Sequence, residues 1–357
     1  MNVLIRIISV LFFTSSFAQI EFPVKIQDFS EDFEGRIELN DQDTIIITQY
    51  DEYVPPYVIR IIDKKTNSEA LRTYTSDFPD YLLNESNEAV PNIQELPYGS
   101  QSILIYEDFN FDGIEDFALM NGYNSCYGGP SFDVYLVDKN KKIDYSESFS
   151  DLSNNYCGMF QTDPDTKTIH TMTKSGCCWH QFSEFTVINN EPKPIKITEE
   201  SYLLGTSFYD VSEFTYENGK ETLLKKLFFP VEDLSDQILF SFELEKNKKR
   251  VILYKSDENL NYALIREDEE VEFYYPLLNK ETFNIDYSSN DFEFDSKKNT
   301  LHFQNADAEY EIYETGNTVG IKVQTKGKTY HLKGKEGSKI ASLSEILSKN
   351  LKNIQTK

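Results

Sequence analysis

The chain has 357 residues, 39% hydrophobic and 27% charged, which is too apolar for a disordered polymer and ample for a sizeable core. Sixty acidic against 35 basic residues give a formal net charge of −25. That balance excludes nucleic acid and anionic membrane as natural partners and favours a cationic protein or a divalent cation. Met1–Ala18 (MNVLIRIISVLFFTSSFA) carries Arg6, then the apolar run Ile7–Phe13, then a small-residue stretch before Gln19. This is the layout of a secretory signal peptide, and the apolar run is too short for a stable transmembrane helix. The expected mature protein starts at Gln19, is exported, periplasmic or secreted, soluble and without a membrane span. Losing Arg6 leaves 34 basic against 60 acidic residues, a net of −26.

From Ile20 onward the pattern predicts a mainly β protein. Twenty-six Phe and 23 Tyr suit strands. Strands are expected at Asp43–Thr48, Tyr57–Asp63, Leu71–Thr75, Ser102–Tyr106, Asp116–Met120 and Ser131–Val137, each bounded by turn-forming residues. The Asp163–Thr166 turn joins Gly158–Thr162 to Lys167–Met172, and Trp179–Ile188 closes this meander. Glu191–Pro194 (EPKP) reads as a domain-edge connector, and Asn218-Gly219 is a hairpin signal. A second β segment holds Ile238–Leu244, Arg250–Tyr254, Ala308–Tyr313, Val319–Val323 and Thr329–Leu332. Helical spacing is recognised only in the tail, where Leu343, Ile346, Leu347 and Leu351 share a stripe behind Ser342. The expected organisation is a signal peptide at 1–18 and an antiparallel, propeller-like or barrel-like domain at 19–195. A connector at 196–236 and a smaller β domain at 237–357, ending in a short helix, complete it.

The four cysteines are Cys126, Cys157, Cys177 and Cys178. An even number in an exported chain reads as two disulfides. A bond between the neighbours Cys177 and Cys178 closes a small strained ring, so each is expected to reach back to Cys126 or Cys157. The competing reading is a metal cluster of Cys177, Cys178 and His180, although adjacent ligands fit tetrahedral zinc poorly.

The strongest chemical signal is Asp108-Phe-Asn-Phe-Asp-Gly-Ile-Glu-Asp116. Hard calcium needs several oxygens, and alternate residues of a tight turn point inward together. Asp108, Asn110 and Asp112 supply side-chain oxygens, Ile114 its carbonyl and Asp116 a closing carboxylate, while Gly113 permits the turn. Leu119 stands where a helical EF-hand has its bidentate Glu, so an EF-like loop between strands is expected instead. The bland alternative is a solvated Asp/Asn turn whose side chains cap their own backbone.

Tyr106–Phe117, then Pro130–Leu136, then Thr173–Gly176 and Trp179-His180, resemble a family of exported bacterial β proteins. Its best-known kind are calcium-binding periplasmic immunity proteins of bacterial-killing type IV secretion systems, which inhibit lysozyme-like peptidoglycan hydrolases. The resemblance spans roughly Val58–Val187 and implies calcium at Asp108, Asn110, Asp112 and Asp116. The sequence departs from the family in lacking a lipobox Cys and in its long C-terminal region.

No GxSxG elbow, P-loop or dinucleotide fingerprint is present, so an enzyme is not expected. The four histidines, His170, His180, His302 and His331, read as structural or surface groups. Lys246–Arg250 (KNKKR) reads as a solvated turn. Two function classes remain. One is an inhibitor or immunity-like binder of a cationic peptidoglycan hydrolase, docking through the Gly-rich Asn121–Pro130 loop with Tyr123 and Tyr127 as aromatic anchors. The other is a calcium-stabilised cell-surface or adhesion-type module binding glycans or proteins.

Overall fold

The computed structural model describes residues 20–41, 46–47, 52–95, 99–217 and 219–357. The segment expected to be a signal peptide and most of the strand expected at Asp43–Thr48 lie outside them. The first sheet has the order β1-β2-β5-β6, formed by β1 (Val24–Ile26), β2 (Phe33–Leu39), β5 (Tyr57–Asp63) and β6 (Ser68–Thr75). A small pair, β3 (Ile46–Ile47) and β4 (Glu52–Tyr53), lies between them in the chain. In β2 buried and exposed residues alternate, so one face meets the core and the other faces water. Gly35 sits where a Cβ would come within 2.8 Å of Ile26 Cδ1, so a side chain there would crowd the Ile26 side chain of β1.

The second sheet is an antiparallel meander of β7 (Leu104–Glu107), β8 (Asp116–Gly122), β9 (Ser131–Val137) and β10 (Ile143–Tyr145). Phe117, Ala118, Leu119 and Met120 of β8 are all fully buried, as expected of a strand covered on both faces. Helix α1 (Glu147–Asn154) follows, and it was not expected from the sequence. Ser146 caps it, its Oγ accepting the Phe149 N–H at 3.5 Å, and Phe149 and Leu152 bury against the core. The helix also closes the part of the β9 edge that β10 leaves unpaired. Ser150 Oγ accepts the Val134 N–H at 2.8 Å, and Ser153 Oγ accepts the Phe132 N–H at 3.1 Å. Buried backbone donors at an edge need such partners.

Next come β11 (Gln161–Asp163), β12 (Thr168–Ser175), β13 (Trp179–Ile188), β14 (Glu191–Tyr202), β15 (Tyr209–Glu217) and β16 (Lys220–Phe228), a six-stranded sheet in sequence order. This corrects two expectations. Glu191–Pro194 begins a strand rather than a connector, and 196–236 holds most of β14 with β15 and β16. Asn218 of the Asn218-Gly219 signal lies outside the described residues; the strands on either side pair, with Glu217 opposite Lys220.

The remaining strands build two further sheets. One is β17 (Ile238–Glu243), β18 (Arg250–Ser256), β19 (Asn259–Ile265) and β20 (Val271–Tyr275) in sequence order. After the short pair β21 (Leu278–Asn279) and β22 (Asn284–Ile285) come β23 (Phe292–Asp295), β24 (Thr300–Asn305), β25 (Ala308–Thr315), β26 (Thr318–Thr325) and β27 (Lys328–Lys333). Strand β28 (Ile354–Thr356) joins this sheet parallel to β23. Phe240, Phe242, Val251, Leu253 and Leu260 of the first sheet share a buried cluster with Phe292, Phe294, Leu301 and Ile312 of the second. The tail helix is a 3₁₀ segment at Leu343–Lys349, shorter than the sequence spacing implied, and Leu343 and Ile346 bury on the same cluster.

The protein is mainly β, and none of the described sheets closes into a barrel. It divides into two compact units. One holds the described residues up to Met172 with Thr186–Lys193; the other holds Thr173–Phe185 with Pro194–Lys357.

The cysteine pairing is the clearest correction. Cys126 bonds Cys157, 31 positions away, and Cys177 bonds its neighbour Cys178. Among the described residues no free cysteine remains, so neither the expected long reach of Cys177 and Cys178 nor a thiolate metal cluster forms. The physical reason is position. Cys126 and Cys157 already face each other with Cα atoms 4.8 Å apart. Cys177 and Cys178 form the turn between β12 and β13, beside Gly176 at φ +63°.

Candidate functional site

The Asp108–Asp116 loop joins β7 to β8, whose pairing of Glu107 with Asp116 closes its base. Phe109 turns inward, fully buried, its ring edge-on to Phe160 at 5.3 Å. Phe111 has φ +60° and Gly113 φ +90°, so the chain bends back twice within five residues. Asp108 accepts the Asp112 N–H at 3.1 Å and the Gly113 N–H at 2.8 Å. Asn110 Oδ1 accepts the Asp112 N–H at 3.1 Å, and Asp112 Oδ1 accepts the Ile114 N–H at 3.0 Å. Asp116, fully buried, accepts the Phe109 N–H at 3.0 Å and the Val137 N–H at 2.8 Å.

The structure therefore gathers the five sequence-predicted positions in one turn, with their side chains bonded mainly to backbone. Among the described residues no three His, Cys, Asp or Glu side chains converge as a ready metal cage. The donor chemistry still fits a hard cation. All donors are oxygen, and an ionised carboxylate keeps further lone pairs after one N–H bond to each oxygen. Burial pushes the Asp116 carboxyl up to about 7 against its two backbone bonds, and the charges of Asp112 and Asp108 add to the rise. A dication at the loop would relieve that repulsion.

Beside the loop lies a concavity of about 550 Å³. Its acidic lining comes from four chain segments: Asp112 of the loop, Asp138 and Asp144 around β10, Glu147 and Asp151 of α1, and Glu191 after the β13–β14 turn. Asn110 Nδ2 donates to Asn190 Oδ1 across it at 3.4 Å. Lys142 pairs with Asp144 and Lys193 with Glu191, neutralising part of the rim. The Asp138 carboxylate is held below its usual range by the Lys142 and Asn140 backbone N–H groups, and so stays ionised. Tyr145 completes the wall, 54% exposed and edge-on to Tyr135 at 5.6 Å. Sequence reading missed this basin. Each acid is ordinary in its own segment, and only the turn of the chain through β10 and α1 brings them together.

Of the expected aromatic anchors, Tyr127 is 66% exposed with φ +54°, in the short 3₁₀ turn that Cys126 ties to Cys157. Tyr123 is half-buried. The histidines play local parts: His170 Nε2 bonds Thr168 Oγ1 at 2.9 Å, and His302 Nε2 bonds Thr300 Oγ1 at 2.8 Å. No helix among the described residues is long and apolar enough to cross a membrane.

The chain matches no known protein family and no curated protein. Among solved structures it is similar to a Xanthomonas type IV secretion system related protein, at 19% identity and a TM-score of 0.43, covering 58% of this chain and 96% of that one. A putative 6-phosphogluconolactonase from Bacteroides uniformis aligns at 10% identity and a TM-score of 0.19, covering 89% of this chain and 85% of that one. A luciferin-regenerating enzyme aligns at 8% identity and a TM-score of 0.21, covering 89% and 94%. Scores this low place the chain in no family.

Proposed function

We propose that the protein is an exported, calcium-binding β protein that docks a cationic partner, a lysozyme-like peptidoglycan hydrolase, and blocks it without doing chemistry itself. Calcium is held by Asp108, Asn110 and Asp112, the Ile114 carbonyl and Asp116. The ion draws the first three side chains off their backbone bonds and stiffens the wall of the basin. The observation that carries the reading is the basin itself: six carboxylates from four chain segments around about 550 Å³, directly beside the loop. A concave acidic surface raises the encounter rate of a basic protein and fixes its orientation. The exposed Tyr127 supplies an aromatic contact of the kind that carries interface affinity.

The test is inhibition of a panel of lysozyme classes by the purified protein at about 0.15 M salt, where exposed charges are screened over ~8 Å. Inhibition is expected, and Glu147→Lys with Asp151→Lys should weaken it at least about 10-fold, or about 1.4 kcal/mol. Tyr127→Ala should weaken it as well. Absence of inhibition across the panel would leave the second reading, a calcium-stabilised surface module in which the ion is purely structural.

A further inference from the structure

Strand β16 ends the six-stranded sheet, and its first six residues, Lys220–Lys225, are exposed. Its pairing with β15 decides which backbone groups face outward. Glu217 is opposite Lys220 with two positions between them in the chain, and the closing pair of so short a connection is the hydrogen-bonded kind. By alternation Thr222 and Leu224 bond to β15, while the N–H and C=O groups of Glu221, Leu223 and Lys225 point away from the sheet. An open edge of this length is a template for another strand.

We propose that this edge pairs with the same edge of a second copy, antiparallel about a two-fold axis at Leu223. Antiparallel strands place outward-pointing residues opposite one another, so the register follows. Leu223 faces Leu223 of the second copy, and Glu221 faces its Lys225 twice over. Thr222 faces its Leu224. The charges are self-complementary, and opposite charges across strands stabilise a pair. Apolar continuity supports the same register. Ile197, Phe214 and Leu223 lie side by side across β14, β15 and β16, and Leu223, 46% exposed, ends the row. Pairing at Leu223 joins two such rows into one stripe of six apolar side chains. The one like-charge pair, Lys220 with Lys226 of the second copy, falls at the strand ends, where Glu270 lies 3.5 Å from Lys226. The Tyr216 hydroxyl bonds the Glu221 carboxylate from the neighbouring strand and holds it in place.

An edge of six residues is small beside the ~800 Å² per partner of a stable complex, so the dimer is weak and reversible, with a dissociation constant on the order of 10–100 μM. Sedimentation equilibrium of the purified protein from about 1 to 300 μM, chosen to bracket that range, should show monomer and dimer in exchange. Glu221→Lys and Lys225→Glu should each weaken the dimer at least about 10-fold, and the double charge reversal should restore it to within about 3-fold. These side chains are exposed, so each variant keeps the fold, which circular dichroism checks. As a second measurement, amide exchange at Leu223 and Lys225 should slow as concentration rises, while Thr222 and Leu224 stay unchanged. A protein monomeric throughout the range overturns the proposal. So does a dimer indifferent to both single reversals, or one with no concentration-dependent protection at Leu223 and Lys225.

Discussion

Two buried carboxylates show opposite solutions to the same problem. Asp116 is fully buried and meets only backbone N–H groups, those of Phe109 and Val137, with Asp108 and Asp112 as its nearest charges. Glu314, 6% exposed, gathers Lys339, the Ser342 hydroxyl, the Leu343 N–H and the Asn299 amide from segments up to 29 positions away. Burial acts to raise the Glu314 pKa, but Lys339 with the Leu343, Ser342 and Asn299 hydrogen bonds outweighs it and holds the carboxyl below its usual range. A buried charge is stable where a cation and hydrogen bonds replace water. Glu314 carries its cation within the fold. The acidic loop closes mostly on itself, its carboxylates meeting backbone N–H groups.

The contrast between local and long-range closure extends to the cross-links, where the largest effect is expected. Replacing Cys126 and Cys157 together by Ser should cost about 3–4 kcal/mol, because that bond closes a loop of 31 positions in the unfolded chain. The Cys177→Ser/Cys178→Ser pair should lose far less, because neighbours close almost no chain. Urea denaturation of both variants measures the difference, and equal losses would break the distinction.

Adding the calcium proposed for the loop is the next test. Calcium at about 100 times its dissociation constant should stabilise the protein by about 2.7 kcal/mol, with affinity on the order of 10⁻⁶–10⁻³ M. Thermal melts in calcium against EDTA report it, and Asp112→Ala should abolish the difference. Identical melting curves would leave the loop as a self-capped turn.

Removing the resident cation is the reverse experiment. Lys339→Met should destabilise the fold by about 2 kcal/mol at pH 7, a figure lowered for the part-exposed lysine. The sign of its pH dependence follows from the depressed Glu314 pKa. The stabilisation is complete above the unfolded-state value of about 4.3 and is lost as pH falls through the folded one. The gap between parent and variant should therefore narrow on going from pH 7 to about pH 3.5. A gap that widens in acid would mean that Lys339 acts through packing instead of charge.

Much of the protein was legible in one dimension. Ser131–Val137 and Trp179–Ile188 read as strands with the bounds they have, because alternation and flanking turn residues act within a few positions. The Asp108–Asp112 part of the loop was equally legible, since the acceptors Asp108, Asn110 and Asp112 bond backbone at most five positions away, whereas Asp116 reaches Val137, 21 positions on. Helix α1 was missed because it spans only two turns and is rich in serine. Those serines are used by β9, and their bonds to Phe132 and Val134 bridge 21 and 16 positions. Glu191–Pro194 misled because proline in sequence signals a break, whereas a strand accepts proline at its first residues.

By itself the sequence determined the mainly β class, the turn geometry of the acidic loop and its set of oxygen donors, because each depends on neighbours within about one turn of chain. Only the tertiary structure decided the Cys126–Cys157 bond, the gathering of carboxylates into one basin and the lysine paired with Glu314. Each of these joins segments whose separation along the chain says nothing of their distance in space. Closing such long loops costs entropy that no local pattern records, and the buried core, rather than any residue in the motif, offsets it.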